Sequence, residues 1–231
     1  MWFFFKKAPK APKVPQAPKD GPLTIRSLWD CKDEALWKKA LAHYYELLNE
    51  NQAILDRQLD ALDSATVKNL STEGFYAFLH DEYFVWKYTQ KNRLATTRRQ
   101  LERYITENRM DELAQIKTDL FNADHRDPAI CLEIVSRVRG LGPSGASGLL
   151  SILFPEDFGT VDQFLVKSLL KVEPLKERDL LSRMKPEMLS LKDSVLLTRI
   201  LRQKADEMNR LFHTRFWTPR KLDMILWSIE R

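Results

Sequence analysis

The chain has few of the residues that pin a fold covalently or through metal. Its 231 residues include only two cysteines, Cys31 and Cys131. That is too few for a disulfide framework or a four-thiolate cluster. The four histidines, His43, His80, His125 and His213, are scattered, and no spacing resembles a zinc site. Long apolar runs are missing too. The longest uncharged stretch, Gly140 to Pro155, falls short of the roughly 20 residues a membrane span needs. Trp2–Phe5 is apolar, but a secretory signal wants a basic start and an apolar core of about 7–15 residues. A soluble, cytoplasmic protein is expected. Lasting period-2 alternation, the mark of strands, is absent, and so is any repeat of solenoid length.

Glycine and proline are unevenly placed. From Leu23 to Asp127 there is no proline and Gly74 is the one glycine, a profile of long helices. Leu36, Ala40, Leu41, Tyr44, Leu47 and Leu48 recur at helical spacing, as do Ile54, Leu55 and Leu59 after a break near residues 49–51. A second helix is predicted from about Ser71 through Phe75, Phe78, Leu79, Tyr83 and Trp86. A third covers about Ala95 to Thr106, and a fourth has Met110, Leu113, Ile116 and Leu120 on one stripe. The fold class is all-α. The length suits one or two domains with a sizeable core.

Charge is uneven as well. Lys6, Lys7, Lys10, Lys13 and Lys19, opposed by Asp20, carry most of the net charge of +5. A basic composition concentrated in a tail says little about the surface of the body. Residues 1–22, with "APKAPKVPQAPKDGP" after Trp2-Phe3-Phe4-Phe5, read as a disordered Lys/Pro-rich tail of extended character. Its aromatic end is a candidate element for docking a protein partner. Within the body, Lys87, Lys91, Arg93, Arg98, Arg99 and Arg103 are opposed by Glu102. This stretch is a candidate phosphate-tracking face, or an ordinary solvated helix face.

Five of the seven glycines, Gly140, Gly142, Gly145, Gly148 and Gly159, crowd into one short stretch. Asp127-Pro128 is an N-cap with proline at the first helical position. The helix it opens is expected to turn Ile130, Ile134, Val135 and Val138 inward. Gly140 then ends it in a positive-φ conformation, Leu141 plugs the turn, and Gly142-Pro143 starts the next helix. In that helix Gly145, Ala146 and Gly148 are small enough for the preceding helix to approach closely. Such a helix start offers backbone N–H groups to an anion, and the adjacent Arg139 is a candidate phosphate contact. An ordinary helical hairpin with a tight turn is the alternative. Further on, Asp162 in Thr160-Val161-Asp162-Gln163 is well placed to cap a helix.

Gly140-Leu141-Gly142 followed by Val161-Asp162 resembles the helix-hairpin-helix DNA glycosylase superfamily, which includes endonuclease III and the adenine and alkylbase glycosylases. The resemblance covers about residues 126–172, and the closing "TPRKLDMILWSIER" looks like the last helix of members of this group. It implies a two-lobed helical fold. One lobe would span about 84–172, and the other about 23–83 plus 173–231, with an extruded base held between them. Asp162 would be the catalytic carboxylate. Arg139, Gly140, Leu141, Gly142, Ser144 and Gly145 would contact DNA. Trp86, Lys87 and Tyr88 form a candidate base pocket, with Lys87 touching a phosphate, unless Trp86 simply continues the aromatic core stripe. Ser144 stands where lyase members carry a lysine, so the single-function branch with water as nucleophile is implied. The cluster cysteines are missing, so no iron–sulfur centre is implied; the hairpin leaves room for a monovalent cation. Phe164 replaces a histidine that is common in the family. Two other readings stay open: a non-catalytic helix-hairpin-helix DNA-binding module, and a protein-interaction scaffold.

Overall fold

A computed structural model describes residues 24–173 and 175–230. The tail read at residues 1–22 lies outside the described residues. Among the described residues every regular element is helical. In chain order they are α1 (Ile25–Leu28), α2 (Glu34–Leu47), α3 (Glu50–Asp60), α4 (Ser64–Lys68), α5 (Thr72–Ala77), a π-helical turn (Phe78–Tyr83) and α6 (Phe84–Lys87). Then follow α7 (Lys91–Thr106), α8 (Met110–Asn122), α9 (Pro128–Ser136), α10 (Pro143–Leu153), α11 (Gln163–Leu169), α12 (Arg178–Ser182), α13 (Leu191–Leu211) and α14 (Pro219–Ile229).

Local chemistry sets most of the starts. Asp33, Asn49, Asp63, Ser71, Asp127, Asp162, Ser190 and Thr218 each cap a helix through a side-chain oxygen. Each such cap satisfies a backbone N–H that the helix itself leaves unpaired. The break near residues 49–51 is the Asn49 capping box between α2 and α3. No helix among the described residues is long and apolar enough to cross a membrane.

The apolar faces gather into two clusters. One is built on Trp37, Val161, Leu165, Leu197, Trp217 and Ile225, from α2, α11, α13, α14 and the segments that lead into α11 and α14. The other is built on Phe75, Tyr83, Leu101, Leu113, Val135 and Leu149, from α5 through α10. These clusters divide the chain differently from the lobes expected at 84–172 and at 23–83 plus 173–231. Leu59 to Tyr83 pack with the hairpin, whereas Val161 to Val172 pack with the terminal helices. An amphipathic stripe says that a face is buried, not which helix buries it.

Arg202 of α13 bridges toward the second cluster. It donates to the carbonyls of Asp157 at 2.5 Å, Arg126 at 2.7 Å and His125 at 2.8 Å. Its guanidinium also lies over the Phe158 ring, 4.7 Å from the centroid. The two cysteines are free thiols that belong to different clusters.

Two packing expectations for the hairpin are corrected. Ile130 is 47% exposed, and Cys131, Leu132, Val135 and Val138 fill the core instead. α9 does pack closely on α10, but two of the small residues, Gly145 and Gly148, face a different element. A Cβ on Gly145 would lie 2.6 Å from the Tyr88 hydroxyl, and one on Gly148 would lie 2.7 Å from the Tyr83 hydroxyl. The glycine face of α10 therefore receives the end of the α5–α6 rod.

Candidate functional site

The turn between α9 and α10 has two glycines with different reasons to exist. Gly140 sits at φ +93°, and a Cβ there would lie 2.9 Å from the Thr97 carbonyl oxygen. Conformation and packing both demand glycine at that position. Gly142 has an ordinary extended backbone, and a Cβ there would meet nothing within 4 Å. Its bareness leaves the start of α10 open from outside the chain. No side chain caps that start, so the amides of its first turn receive no side-chain hydrogen bond at the N-cap. Leu141 is buried beneath the turn.

Arg139 does not join this opening. Its guanidinium bonds Glu107 at 2.6 Å and Glu112 at 3.2 Å and stacks on the Tyr104 ring. The guanidinium expected to meet a phosphate is thus held in ion pairs within the chain. Neighbouring Arg137 is paired with Asp119. The basic face is partly spent in the same way: Arg98 bonds the His80 carbonyl and Asp81, and Arg103 bonds Glu107.

Asp162 lies on a segment held at successive residues. A Cβ on Gly159 would lie 2.5 Å from the Pro219 carbonyl oxygen, so the chain there presses against the first turn of α14. The Thr160 N–H donates to Asp223 Oδ2 at 2.7 Å, and the Val161 N–H donates to Ser147 Oγ at 2.9 Å. Asp162 then caps α11: its Oδ1 accepts from the N–H groups of Phe164 at 2.9 Å and Leu165 at 3.2 Å. Oδ2 accepts no hydrogen bond among the described residues.

That carboxylate borders a cavity of about 520 Å³ between the two clusters, within the usual range for small-molecule sites. Trp86, Lys87 and Tyr88 line the same cavity, as do Phe164 and Trp227. Residues far apart in sequence, Asp162 and the 86–88 triplet, thus share one wall. Lys87 is half-buried where it lines the cavity. Gly140, Leu141, Gly142, Ser144 and Gly145 do not line it; they adjoin it through Tyr88, whose hydroxyl lies against Gly145. Trp86 packs against the second cluster and also lines the cavity.

Beneath these residues is a buried charge cluster that the sequence reading missed. Arg220, only 4% exposed, bonds Asp56 at 3.0 Å, Asp223 at 3.2 Å and Asp60 at 3.4 Å. Asp56 Oδ1 also accepts from Tyr44 Oη at 2.9 Å and Trp86 Nε1 at 2.8 Å, while its buried Oδ2 has no hydrogen-bond partner among the described residues. The Arg220 guanidinium lies 5.0 Å from the Trp86 ring centroid. A sequence signal existed: Arg220 and Asp223 interrupt an otherwise apolar helix face, and Asp56 stands three residues before Leu59 on the buried stripe of α3. A charge at a core position demands a partner, but the sequence does not say where that partner lies.

Burial shapes the protonation of the cavity. It raises the Asp223 carboxyl to about 6, against the pull of Arg220 and the Thr160 N–H. It lowers the Lys87 ammonium, while the Asp162 and Asp223 carboxylates act in the opposite sense. Burial also raises the Tyr44 hydroxyl, which stays a neutral donor to Asp56. Among the described residues no group of three or more His, Cys, Asp or Glu is arranged to hold a metal ion.

Compared with known proteins, the chain matches no family model, no curated protein and no solved structure.

Proposed function

We propose that this protein is a DNA N-glycosylase of the two-lobed helix-hairpin-helix type, hydrolysing the bond between deoxyribose and a damaged or modified base. The observation that carries the reading is the meeting of Asp162 with Trp86, Lys87 and Tyr88 on one cavity between two helical clusters. Cleaving a base from its sugar builds positive charge at C1′. A fixed carboxylate beside that carbon stabilises the charge, or takes a proton from the attacking water. The capping bonds hold Asp162 through Oδ1 and leave Oδ2 for that task. The aromatic side chains offer stacking surfaces to a base turned out of the duplex. The open start of α10 offers backbone N–H groups to a phosphate without reading sequence. Because Ser144 supplies no amine, water is the nucleophile for base removal.

The test does not require the natural base. Affinity is measured for a duplex carrying a cationic pyrrolidine abasic analogue and for the unmodified duplex, using the full chain, Asp162→Asn and a chain lacking residues 1–22. The analogue imitates the charged sugar, so a working site prefers it strongly. The expected result is a preference that is lost in Asp162→Asn and kept without residues 1–22. Equal, salt-sensitive binding to both duplexes overturns the enzyme reading in favour of a non-catalytic DNA-binding module. Loss of all binding without residues 1–22 overturns it in favour of a protein-interaction scaffold.

A further inference from the structure

We infer that Asp223 is a positioning residue for Asp162: through the Thr160 N–H it sets where the Asp162 carboxylate stands, and its own negative charge adds to the field that Asp162 presents to a cation in the cavity. This deepens the glycosylase reading and rests on it for the identity of the cation, the positively charged sugar.

The segment that carries Asp162 is gripped from both sides. On one side is the first turn of α14. A Cβ on Gly159 would lie 2.5 Å from the Pro219 carbonyl oxygen, and the Thr160 N–H donates to Asp223 Oδ2 at 2.7 Å. On the other side is α10, where the buried Ser147 Oγ accepts from the Val161 N–H at 2.9 Å and donates to the Ser144 carbonyl at 2.9 Å. Among the described residues Asp162 hydrogen-bonds only forward, to the Phe164, Leu165 and Val166 N–H groups of the helix it caps. Its place on the cavity therefore depends on the grip on the residues before it. Asp223 supplies the charged half of that grip. Its Oδ2 takes the Thr160 N–H and also Arg220 at 3.2 Å, while its Oδ1 accepts no hydrogen bond among the described residues. The residue is 7% exposed and lines the same cavity as Asp162.

The charges that meet Asp223 come from several elements. Arg220 lies one turn earlier on α14 and is shared with Asp56 and Asp60 of α3. Tyr44 of α2, Lys87 of α6 and Asp162 complete the set. Burial raises the Asp223 carboxyl to about 6; Arg220, the Thr160 N–H and Lys87 pull it down, and Asp162 pushes it up. Two like charges on one cavity disfavour each other. A cation placed there relieves the repulsion and favours the ionised form of Asp223. By linkage, ionised Asp223 favours the cation by the same factor. A neutral carboxyl also holds the Thr160 N–H less strongly, because a charge-assisted hydrogen bond is about twice as strong as a neutral one. Both effects have one sign: preference for a cation is greatest above about pH 6 and weakens below it. A purely structural role predicts the reverse, since a carboxyl raised by folding stabilises the fold most when protonated.

Two measurements on the full chain test the proposal. The first is the ratio of affinities for a duplex carrying the cationic pyrrolidine analogue and one carrying its uncharged tetrahydrofuran counterpart. It is taken from about pH 5 to about pH 8 for the wild type, Asp223→Asn and Asp223→Ala, with circular dichroism confirming the fold at each pH. In the wild type the ratio is expected to fall at least about fivefold as pH drops through about 6. Asp223→Asn keeps an acceptor oxygen for Thr160 but no charge, so its ratio is low throughout and lacks that fall. Asp223→Ala loses the acceptor too, and its ratio is lower again. The second measurement needs no variant. Calorimetry of the wild type near pH 6, in two buffers of different ionisation enthalpy, counts the protons exchanged on binding. Release of part of a proton is expected with the pyrrolidine duplex and none with the tetrahydrofuran duplex. A wild-type preference that is flat with pH, that falls equally in Asp223→Asn, or that comes without proton release overturns the proposal and leaves the glycosylase reading standing. Variants that match the wild-type ratio while unfolding more easily overturn it equally. A wild type without preference for the pyrrolidine duplex at any pH overturns the glycosylase reading and this proposal with it.

Discussion

Asp223 Oδ2 accepts the backbone N–H of Thr160 at 2.7 Å, tying the last helix to the segment that carries Asp162 two residues later. The same carboxylate pairs with Arg220, so the position of Asp162 is coupled to the buried cluster of Arg220, Asp56 and Asp60. Removing that carboxylate leaves both a buried guanidinium and a buried N–H short of a partner. Asp223→Ala is expected to cost about 3–5 kcal/mol of stability, the range for breaking one side of a buried ion pair. Urea unfolding measures it; a loss below about 1 kcal/mol, the range of a surface pair, would show that the cluster contributes no such coupling.

The same group predicts a pH dependence. Burial raises Asp223 from an ordinary 3.8 to about 6 in the folded protein. Between those values the native state holds more proton than the unfolded chain, so this contribution to stability is complete below about 4. It is lost as pH rises through about 6. Unfolding free energies of the wild type and Asp223→Asn, measured from pH 4 to 7, should differ in slope over that window, with the wild type losing more. Parallel profiles would place the titration elsewhere.

Asp162 serves as both cap and candidate carboxylate, and two substitutions separate the roles. Asn keeps the capping oxygen, so Asp162→Asn should retain stability to within a few tenths of a kcal/mol, while Asp162→Ala should lose about 1 kcal/mol. Thermal unfolding reads the cap. Preference for the pyrrolidine duplex, expected to vanish in both variants, reads the charge.

The hairpin glycines should respond in opposite ways. Gly140→Ala forces a side chain into positive φ against the Thr97 carbonyl, and is expected to destabilise by about 1–3 kcal/mol. Gly142→Ala meets open space and should leave the melting temperature unchanged while weakening duplex affinity by a similar factor for every sequence. Unchanged affinity would remove the start of α10 from the DNA interface.

Arg139 offers a contrast. Its partners Glu107 and Glu112 are partly exposed, so Arg139→Ala is expected to cost about 0–1 kcal/mol. Because the side chain is already engaged, duplex affinity and its salt dependence should stay near those of the wild type. A salt slope lower by about one would restore the phosphate contact.

What the sequence determined is mainly local. Caps, prolines and apolar spacing mark the helices because each acts within a turn or two of chain. Gly140 was legible as a positive-φ residue for the same reason, and the structure places it at +93°. Asp162 was legible as a cap because its partners are its next neighbours, Phe164 and Leu165.

Tertiary structure alone decided the rest. Ile130 lies on the same apolar helix as Cys131 and Leu132, and only packing turned it outward. Arg139 found two carboxylates about thirty residues away, and Gly148 faces Lys87 rather than the preceding helix. Arg220 meets Asp56 across 164 positions of sequence. Helical periodicity records whether a face is buried, whereas an ion pair or a glycine contact depends on which distant face arrives opposite. That pairing belongs to the assembled core, and so does the cavity that brings Lys87 and Asp162 together.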